Sequence, residues 1–148
     1  MMDVFKFPIL HNILVGCLLI FLTSLIHLIL TKLSTDYLKQ SVSATAVKRV
    51  LMIEMIVLMT ILASLAEASL WSVCYLANDA FQSFEEALYF SLVTYSTLGY
   101  GDVILDSPHR LLAGFEAANG IIMFGWSTAL VIATIQQLLL SSSGSHQA

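Results

Sequence analysis

The chain has 148 residues, of which six are Lys or Arg and ten are Asp or Glu. Charged residues make up 11% of it, against roughly a quarter in an ordinary soluble domain, and hydrophobic residues make up 58%, against roughly 45–50%. A small soluble domain needs a mostly polar surface, so this composition excludes most water-soluble classes. The net charge of −4 argues against a nucleic-acid partner, since phosphate binding requires clustered Lys and Arg.

The first apolar segment carries no charge from Phe7 to Thr31. As a helix these residues rise about 37 Å, enough to cross a hydrocarbon layer about 30 Å thick. A secretory signal peptide is the alternative, but its apolar core is shorter and no small-residue cleavage site follows this one. We therefore predict an N-terminal transmembrane helix within residues 1–33.

Two further apolar segments predict two more spanning helices. One runs from Val50 to Asn78 and is interrupted only by Glu54 and Glu67. The other begins after Arg110, reaches about Leu140 and contains a single charge, Glu116. The predicted fold class is an all-α membrane protein with three transmembrane helices.

The basic residues predict how the chain is oriented. Four of the six lie in or beside the segment 34–49, between the first two spans: Lys32, Lys39, Lys48 and Arg49. Short loops rich in Lys and Arg stay in the cytoplasm. We therefore expect a cytoplasmic loop at 34–49, an external N-terminus, a cytoplasmic C-terminus and a location in the plasma or bacterial inner membrane. The polar residues 141–148 predict a disordered tail.

The sequence has no residue pattern typical of an enzyme or a metal centre. Cys17 and Cys74 lie within predicted spans, where a thiol usually packs as a small apolar group. A disulfide between them is the less favoured alternative. His11, His27 and His146 occur singly and are interpreted as packing or surface residues. We therefore expect neither catalysis nor a bound cofactor.

The 31 residues between Asn78 and Arg110 are too few for two further spanning helices. Ser83, followed three residues later by Glu86 and then by an apolar run, forms the S-x-x-E pattern that caps a helix. Glu85 and Glu86 also complement the positive end of the helix dipole. We predict a helix from Phe84 to about Tyr95, whose length of about 18 Å reaches only halfway across the bilayer.

The residues after this helix, 97–102, read Thr-Leu-Gly-Tyr-Gly-Asp and are called the Gly-Tyr-Gly loop below. Gly99 and Gly101 permit positive φ, so that successive carbonyl groups can turn to one side. Non-helical backbone at membrane depth requires polar groups that are buried or that face water or ions. Four such loops around an axis would present rings of oxygens to a cation, with the negative ends of four helices aimed at it.

Residues 94–102, Thr-Tyr-Ser-Thr-Leu-Gly-Tyr-Gly-Asp, resemble the selectivity filter of potassium channels, whose consensus is T-x-x-T-V-G-Y-G-D. The resemblance covers residues 50–140, and it implies an outer helix at 50–77, a pore helix at 84–95, a filter at 97–102 and an inner helix at 110–140. It further implies passive conduction of K⁺ through a homotetramer in the bilayer. The implied K⁺-binding residues are Thr97, Leu98, Gly99 and Tyr100, with Gly101 and Asp102 at the outer mouth. The ion assignment comes from this resemblance and not from the spacing.

The chain departs from the family pattern at and behind the filter. Leu98 replaces the usual Val. Tyr89 and Phe90 stand where relatives often have a Trp pair. Tyr89 can still donate a hydrogen bond to Asp102, whereas Phe90 has no donor. We expect Tyr89, Phe90 and Thr94 to support the filter.

The third span contains a glycine and an amide for which two interpretations remain open. The resemblance implies that Gly120 is a gating hinge, whereas small residues in membrane helices also permit close packing. Asn119 faces either a water-filled cavity or a neighbouring subunit.

Two acids, Glu67 and Glu116, lie deepest in the spans. Either they share a proton, or each bonds separately to backbone or to Ser and Thr hydroxyls. Our hypothesis is that Glu116 holds the filter region and makes the current pH-sensitive.

Two alternative functions remain beside the potassium channel. Leu98 could loosen the filter and give a weakly selective channel for monovalent cations. The second alternative is a non-conducting accessory subunit that docks through the first span. No span carries Arg at every third position, so a voltage sensor is not expected.

Overall fold

A computed structural model of the chain describes residues 3–39, 45–107 and 109–143. All regular structure in these residues is helical. The four helices are α1 (Asp3–Lys39), α2 (Ala46–Ala77), α3 (Phe84–Tyr95) and α4 (Arg110–Ser143). Helices α1, α2 and α4 are long and apolar enough to cross a membrane. The predicted fold class, an all-α membrane protein with three spans, is confirmed.

The loop predicted at 34–49 is largely helical instead. Helix α1 continues to Lys39, and α2 begins at Ala46 after Thr45. Charged residues are excluded from hydrocarbon but are compatible with a helix, so the charges mark the end of the apolar span and not of the helix. Residues 40–44 lie outside the described part of the chain.

The predicted inner helix and tail also differ slightly from the structure. Helix α4 extends through Ser143, so the first three residues of the predicted tail 141–148 are helical. The rest of that tail, residues 144–148 with His146, lies outside the described residues.

Helix α2 ends in a turn that directs the chain back toward α3. The backbone N–H of Ala80 donates to the carbonyl of Tyr75 at 2.9 Å, and that of Asp79 donates to Leu76 at 3.1 Å. Asp79 has a φ of 55°. This pair of bonds around one left-handed residue is a Schellman motif, which satisfies the last carbonyls of the helix.

Helix α1 packs along both α4 and α2 through a stripe that repeats every three or four residues. Its buried residues are Asn12, Gly16, Leu19, Thr23, His27, Leu30, Ser34 and Leu38. Small and polar residues at such positions let membrane helices approach closely. At Gly16 an added Cβ would lie only 2.9 Å from the ring of Phe115. The first span is therefore packed tightly against the other two.

The core that positions α3 is aromatic and lies between α2 and α3. The ring of Tyr75 meets those of Phe90 and Phe81 edge to face, with centroids 5.3 Å and 6.0 Å apart. Trp71 and Tyr75 are fully buried. A second apolar cluster, which includes Met52, Ile56 and Leu130, fills the opposite end of the bundle.

Candidate functional site

Helix α3 begins with the cap that the sequence predicts. The backbone N–H of Glu86 donates to the side-chain oxygen of Ser83 at 3.2 Å. Glu85 and Glu86 lie in the first turn, where carboxylates complement the helix dipole. The buried residues of α3 are Ala87, Phe90, Ser91 and Tyr95, spaced as one helical face. This face fixes α3 against the rest of the chain and sets where the helix ends.

The end of α3 passes into the Gly-Tyr-Gly loop through a second Schellman motif. The backbone N–H of Thr97 donates to the carbonyl of Thr94 at 2.9 Å, and that of Leu98 donates to the carbonyl of Val93 at 3.0 Å. The residue between these bonds, Thr97, has a φ of 60°. Glycine usually occupies this position. A left-handed conformation costs a non-glycine residue about 1–2 kcal/mol, so a threonine here points to a role for its side chain.

Positive φ recurs at every second residue of the loop. Thr97, Gly99 and Gly101 have φ values of 60°, 57° and 77°, whereas Leu98 and Tyr100 between them lie outside the left-handed region. A backbone whose φ alternates in sign in this way can turn successive carbonyl oxygens to one side. The loop therefore has a backbone suited to holding a cation by its carbonyls.

Tyr89 ties the C-terminal end of the loop to α3, as the sequence suggests. Its hydroxyl donates to a carboxylate oxygen of Asp102 at 2.6 Å. This hydrogen bond holds the pKa of the Asp102 carboxyl below its usual range and raises the pKa of the Tyr89 hydroxyl. Both residues are exposed, so the bond orients the loop more than it stabilises the fold.

The other two predicted support residues lie behind the loop. Phe90 is buried in the aromatic core, and the carbonyl of Thr94 accepts the backbone hydrogen bond from Thr97. A cavity of about 340 Å³ separates this side of α3 from the loop, and both residues line it. Phe90 packs on Tyr75 and Phe81 behind this cavity, and its ring offers no hydrogen-bond donor to the loop, so its support of the loop stays a prediction.

Glu116 of α4 is fully buried and binds hydroxyl groups of α2 and α3. It accepts hydrogen bonds from Tyr75, at 2.5 Å, and from Ser91. Ser91 also approaches the carbonyl of Ala68 on α2 at 2.7 Å. Glu116 thus connects α4 to α2 and α3, at a point one turn before α3 ends.

Glu67 of α2 is also fully buried and binds a different set of partners. The hydroxyl of Tyr95 donates to one carboxylate oxygen, and Nδ1 of His27 lies 2.5 Å from the other. Nε2 of His27 lies 2.8 Å from the hydroxyl of Ser127 on α4. A single set of contacts therefore connects α1, α2 and α4 to the last residue of α3.

These contacts settle how the two acids are bound and correct the interpretation of His27. Glu67 and Glu116 have separate partners, so the shared proton is wrong. Separate binding is right for both acids, but most partners differ from the expected Ser, Thr and backbone groups. Glu116 binds a Ser and a Tyr hydroxyl, and Glu67 binds a Tyr hydroxyl and a histidine. The sequence suggests an isolated packing residue at His27, but this side chain is half of a buried pair with Glu67. The sequence does contain a signal for this pair. Glu67 is an ionisable side chain in the middle of a span, where exposure to lipid is costly, so a buried partner is expected.

Gly120 packs directly on the end of α3. An added Cβ would lie 1.9 Å from the carbonyl oxygen of Tyr95, so only glycine fits. Helix α4 runs unbroken through this position. The close-packing interpretation therefore has a structural basis, and the hinge stays a prediction.

Asn119 differs from what the sequence suggests, whereas the two cysteines lack a disulfide, as the sequence favours. The Asn119 amide is buried and donates to the hydroxyl of Thr23 on α1 at 2.9 Å, so it faces neither a water-filled cavity nor a neighbouring subunit. Cys17 and Cys74 are both free thiols, so the disulfide alternative is wrong.

Together these features define a membrane protein in which a short capped helix leads into a loop with positive φ at every second residue. A family model described as "Ion channel" matches residues 50–137, more than half of the chain. The chain belongs to this ion-channel family, which makes it an ion-transport protein. The match begins in α2, so α1 lies outside it. Searches of curated proteins and of solved structures find no match.

Proposed function

We propose that the chain forms a potassium-selective channel, in which four copies of the Gly-Tyr-Gly loop surround one axis. The observation that carries this proposal is the positive φ at Thr97, Gly99 and Gly101. Rings of backbone carbonyls replace the water around a cation. The proposed K⁺ ligands are the carbonyls of residues 97–100 together with the Thr97 hydroxyl. Gly101 and Asp102 form the outer mouth.

The Thr97 hydroxyl supports this assignment independently of the resemblance. Thr97 occupies the left-handed position of a Schellman motif, where glycine would be less strained. A side chain kept there at a cost in free energy has a use in the assembled protein, and a hydroxyl oxygen is a suitable ligand for K⁺.

Exposed surface in the loop and just after it supports the fourfold assembly. In the single chain, Leu98, Tyr100 and Ile104 are 56%, 67% and 72% exposed. Large apolar side chains grouped in this way mark an interaction surface. Neighbouring copies around the axis would cover them, and one loop alone supplies only a quarter of each oxygen ring.

The proposed orientation places this loop on the outside of the cell. The C-terminal end of α2 and the start of α4 flank α3 and the loop, whereas Lys48 and Arg49 lie at the other end of α2. The basic end is cytoplasmic by the charge rule. The C-terminus is then cytoplasmic and the N-terminus external, in the plasma or bacterial inner membrane.

Flux from liposomes that contain only the purified chain tests this proposal. We expect K⁺ efflux well above Na⁺ efflux. Gly99→Ala should abolish the selective flux, because φ of 57° costs alanine about 1–2 kcal/mol in each of four loops. Gly114→Ala is the matched control, since an added Cβ there meets nothing within 4 Å in the chain.

Three outcomes would contradict parts of the proposal. Equal K⁺ and Na⁺ flux would favour the weakly selective channel. A tetramer without flux would favour the accessory subunit. Selective flux in Gly99→Ala would overturn the assignment of the loop as the filter.

A further inference from the structure

Helix α1 contacts the family-matched part of the chain through polar groups and not only through apolar packing. Three side chains spaced by four residues carry these contacts. Thr23 bonds to Asn119, His27 to Ser127 and Glu67, and Thr31 accepts from the Trp126 indole at 3.0 Å. Buried polar groups in an apolar surrounding are costly unless they are paired. These pairs therefore fix the position of α1 along α4.

Of these three contacts, the one at His27 leads toward the Gly-Tyr-Gly loop. Nδ1 of His27 lies 2.5 Å from Glu67, and the other oxygen of Glu67 accepts from the hydroxyl of Tyr95. Tyr95 is the last residue of α3, and its carbonyl packs on Gly120. Thr97 follows two residues later. Two hydrogen bonds thus separate a residue of α1 from the start of the loop.

Without α1, one of the two carboxylate oxygens of Glu67 would lose its hydrogen-bond partner. Its side chain is fully buried, and His27 is the partner of one of its two oxygens. An unpaired carboxylate oxygen at this depth is costly, so the side chain would rotate toward water or toward another hydroxyl group. In either case its bond to Tyr95 would weaken. Apolar packing by α1 alone would not have this effect.

We propose that His27 is a positioning residue for the filter, acting through Glu67 on Tyr95, so that α1 holds the end of the pore helix in place. The inference assigns a role to the one helix that lies outside the ion-channel match, and it rests on the proposed function of the loop. Loss of the His27–Glu67 bond should loosen the end of α3 while the fold persists.

Amide hydrogen exchange of the full-length protein in lipid nanodiscs tests this without using conduction. The N–H groups of Thr97, Leu98 and Gly99 all bond to carbonyls in the last turn of α3, so their exchange rates report its opening. In His27→Gln the amide nitrogen lies near the former Nε2 and keeps the Ser127 contact but not the Glu67 bond. We expect exchange to rise about tenfold, which corresponds to about 1.4 kcal/mol.

Two further variants separate positioning from general destabilisation. His27→Asn places its amide nitrogen near the former Nδ1 and should restore slow exchange at the loop. Thr31→Val removes a different contact between α1 and α4, and it should leave the loop amides unchanged. Exchange in His27→Gln at the wild-type rate, or equal acceleration in Thr31→Val, would overturn the proposal.

A double-mutant cycle then tests the route through Glu67. Tyr95→Phe removes the last bond of the series, so adding His27→Gln to it should have little further effect. Additive effects would overturn the proposal while leaving potassium selectivity untouched. A wild-type chain that conducts K⁺ and Na⁺ equally but keeps this coupling would overturn only the proposed function.

Discussion

Gly120→Ala perturbs a close contact between α4 and the end of α3. The added Cβ would lie 1.9 Å from the carbonyl oxygen of Tyr95 and 2.8 Å from its carbonyl carbon. Ordinary contact begins at 3.4 Å, so the two helices must separate locally by about 1.5 Å. The obstacle is backbone and cannot rotate aside as a side chain does. We therefore expect a cost near the upper end of the range for overpacking, about 3 kcal/mol per chain.

The displacement would reach the loop because α3 ends at the point of contact. Tyr95 lies two residues before Thr97, and its hydroxyl is held by Glu67. Gly120→Ala should lower the thermal unfolding midpoint in detergent and should remove the preference for K⁺ in liposome flux. Gly125→Ala is the control, since its added Cβ meets nothing within 4 Å in the chain. It should keep both properties.

The same variant distinguishes close packing from a gating hinge. If Gly120 acts as a hinge, alanine changes the open probability and leaves stability and ion preference at wild-type values. That result would refute close packing as the reason for glycine at this position.

The remaining predictions concern the hydrogen bonds around α3. The pKa of the Tyr89 hydroxyl is raised chiefly by its hydrogen bond to Asp102. The stabilisation from the protonated hydroxyl is therefore present at pH values below the usual tyrosine pKa, and it is lost as the pH rises through the raised pKa. Ultraviolet titration should therefore show Tyr89 ionising at lower pH in Asp102→Asn, and an unchanged titration curve would argue against the bond. Glu116→Gln replaces one of the two oxygens that accept from Tyr75 and Ser91 by an NH2 group, which cannot accept, with an expected loss of about 1 kcal/mol in thermal unfolding measurements. The pH dependence of the current should also weaken in this variant, and an open probability with the wild-type pH dependence would refute the role of Glu116.

Local signals in the sequence account for the elements that it predicts well. The cap at Ser83 and the glycines of the loop bracket α3, and its bounds in the structure are Phe84–Tyr95. Uninterrupted apolar runs indicate the three spans. The Tyr89 bond to Asp102 follows from a donor in α3 and an acceptor 13 residues later in the loop. Each of these depends on residues close together in the sequence.

The features that sequence reasoning missed depend on contacts between distant residues. His27 and Glu67 are 40 positions apart, and nothing in either segment indicates that α1 packs there. The approach of Gly120 to Tyr95 is likewise visible only once α3 and α4 are placed. The interpretation of Asn119 is wrong for the same reason, because its partner Thr23 belongs to α1. The left-handed φ of Thr97 runs against its residue preference, so local propensity could not predict it.

A planar-bilayer recording of the purified chain, with K⁺ on one side and Na⁺ on the other, tests the central claim most directly. A tenfold preference for one monovalent ion displaces the reversal potential by about 59 mV. A potassium-selective filter built from residues 97–100 predicts a displacement of at least this size, with the sign of K⁺ permeation. A current that reverses at zero would contradict selectivity, and a correctly assembled tetramer without current would contradict conduction.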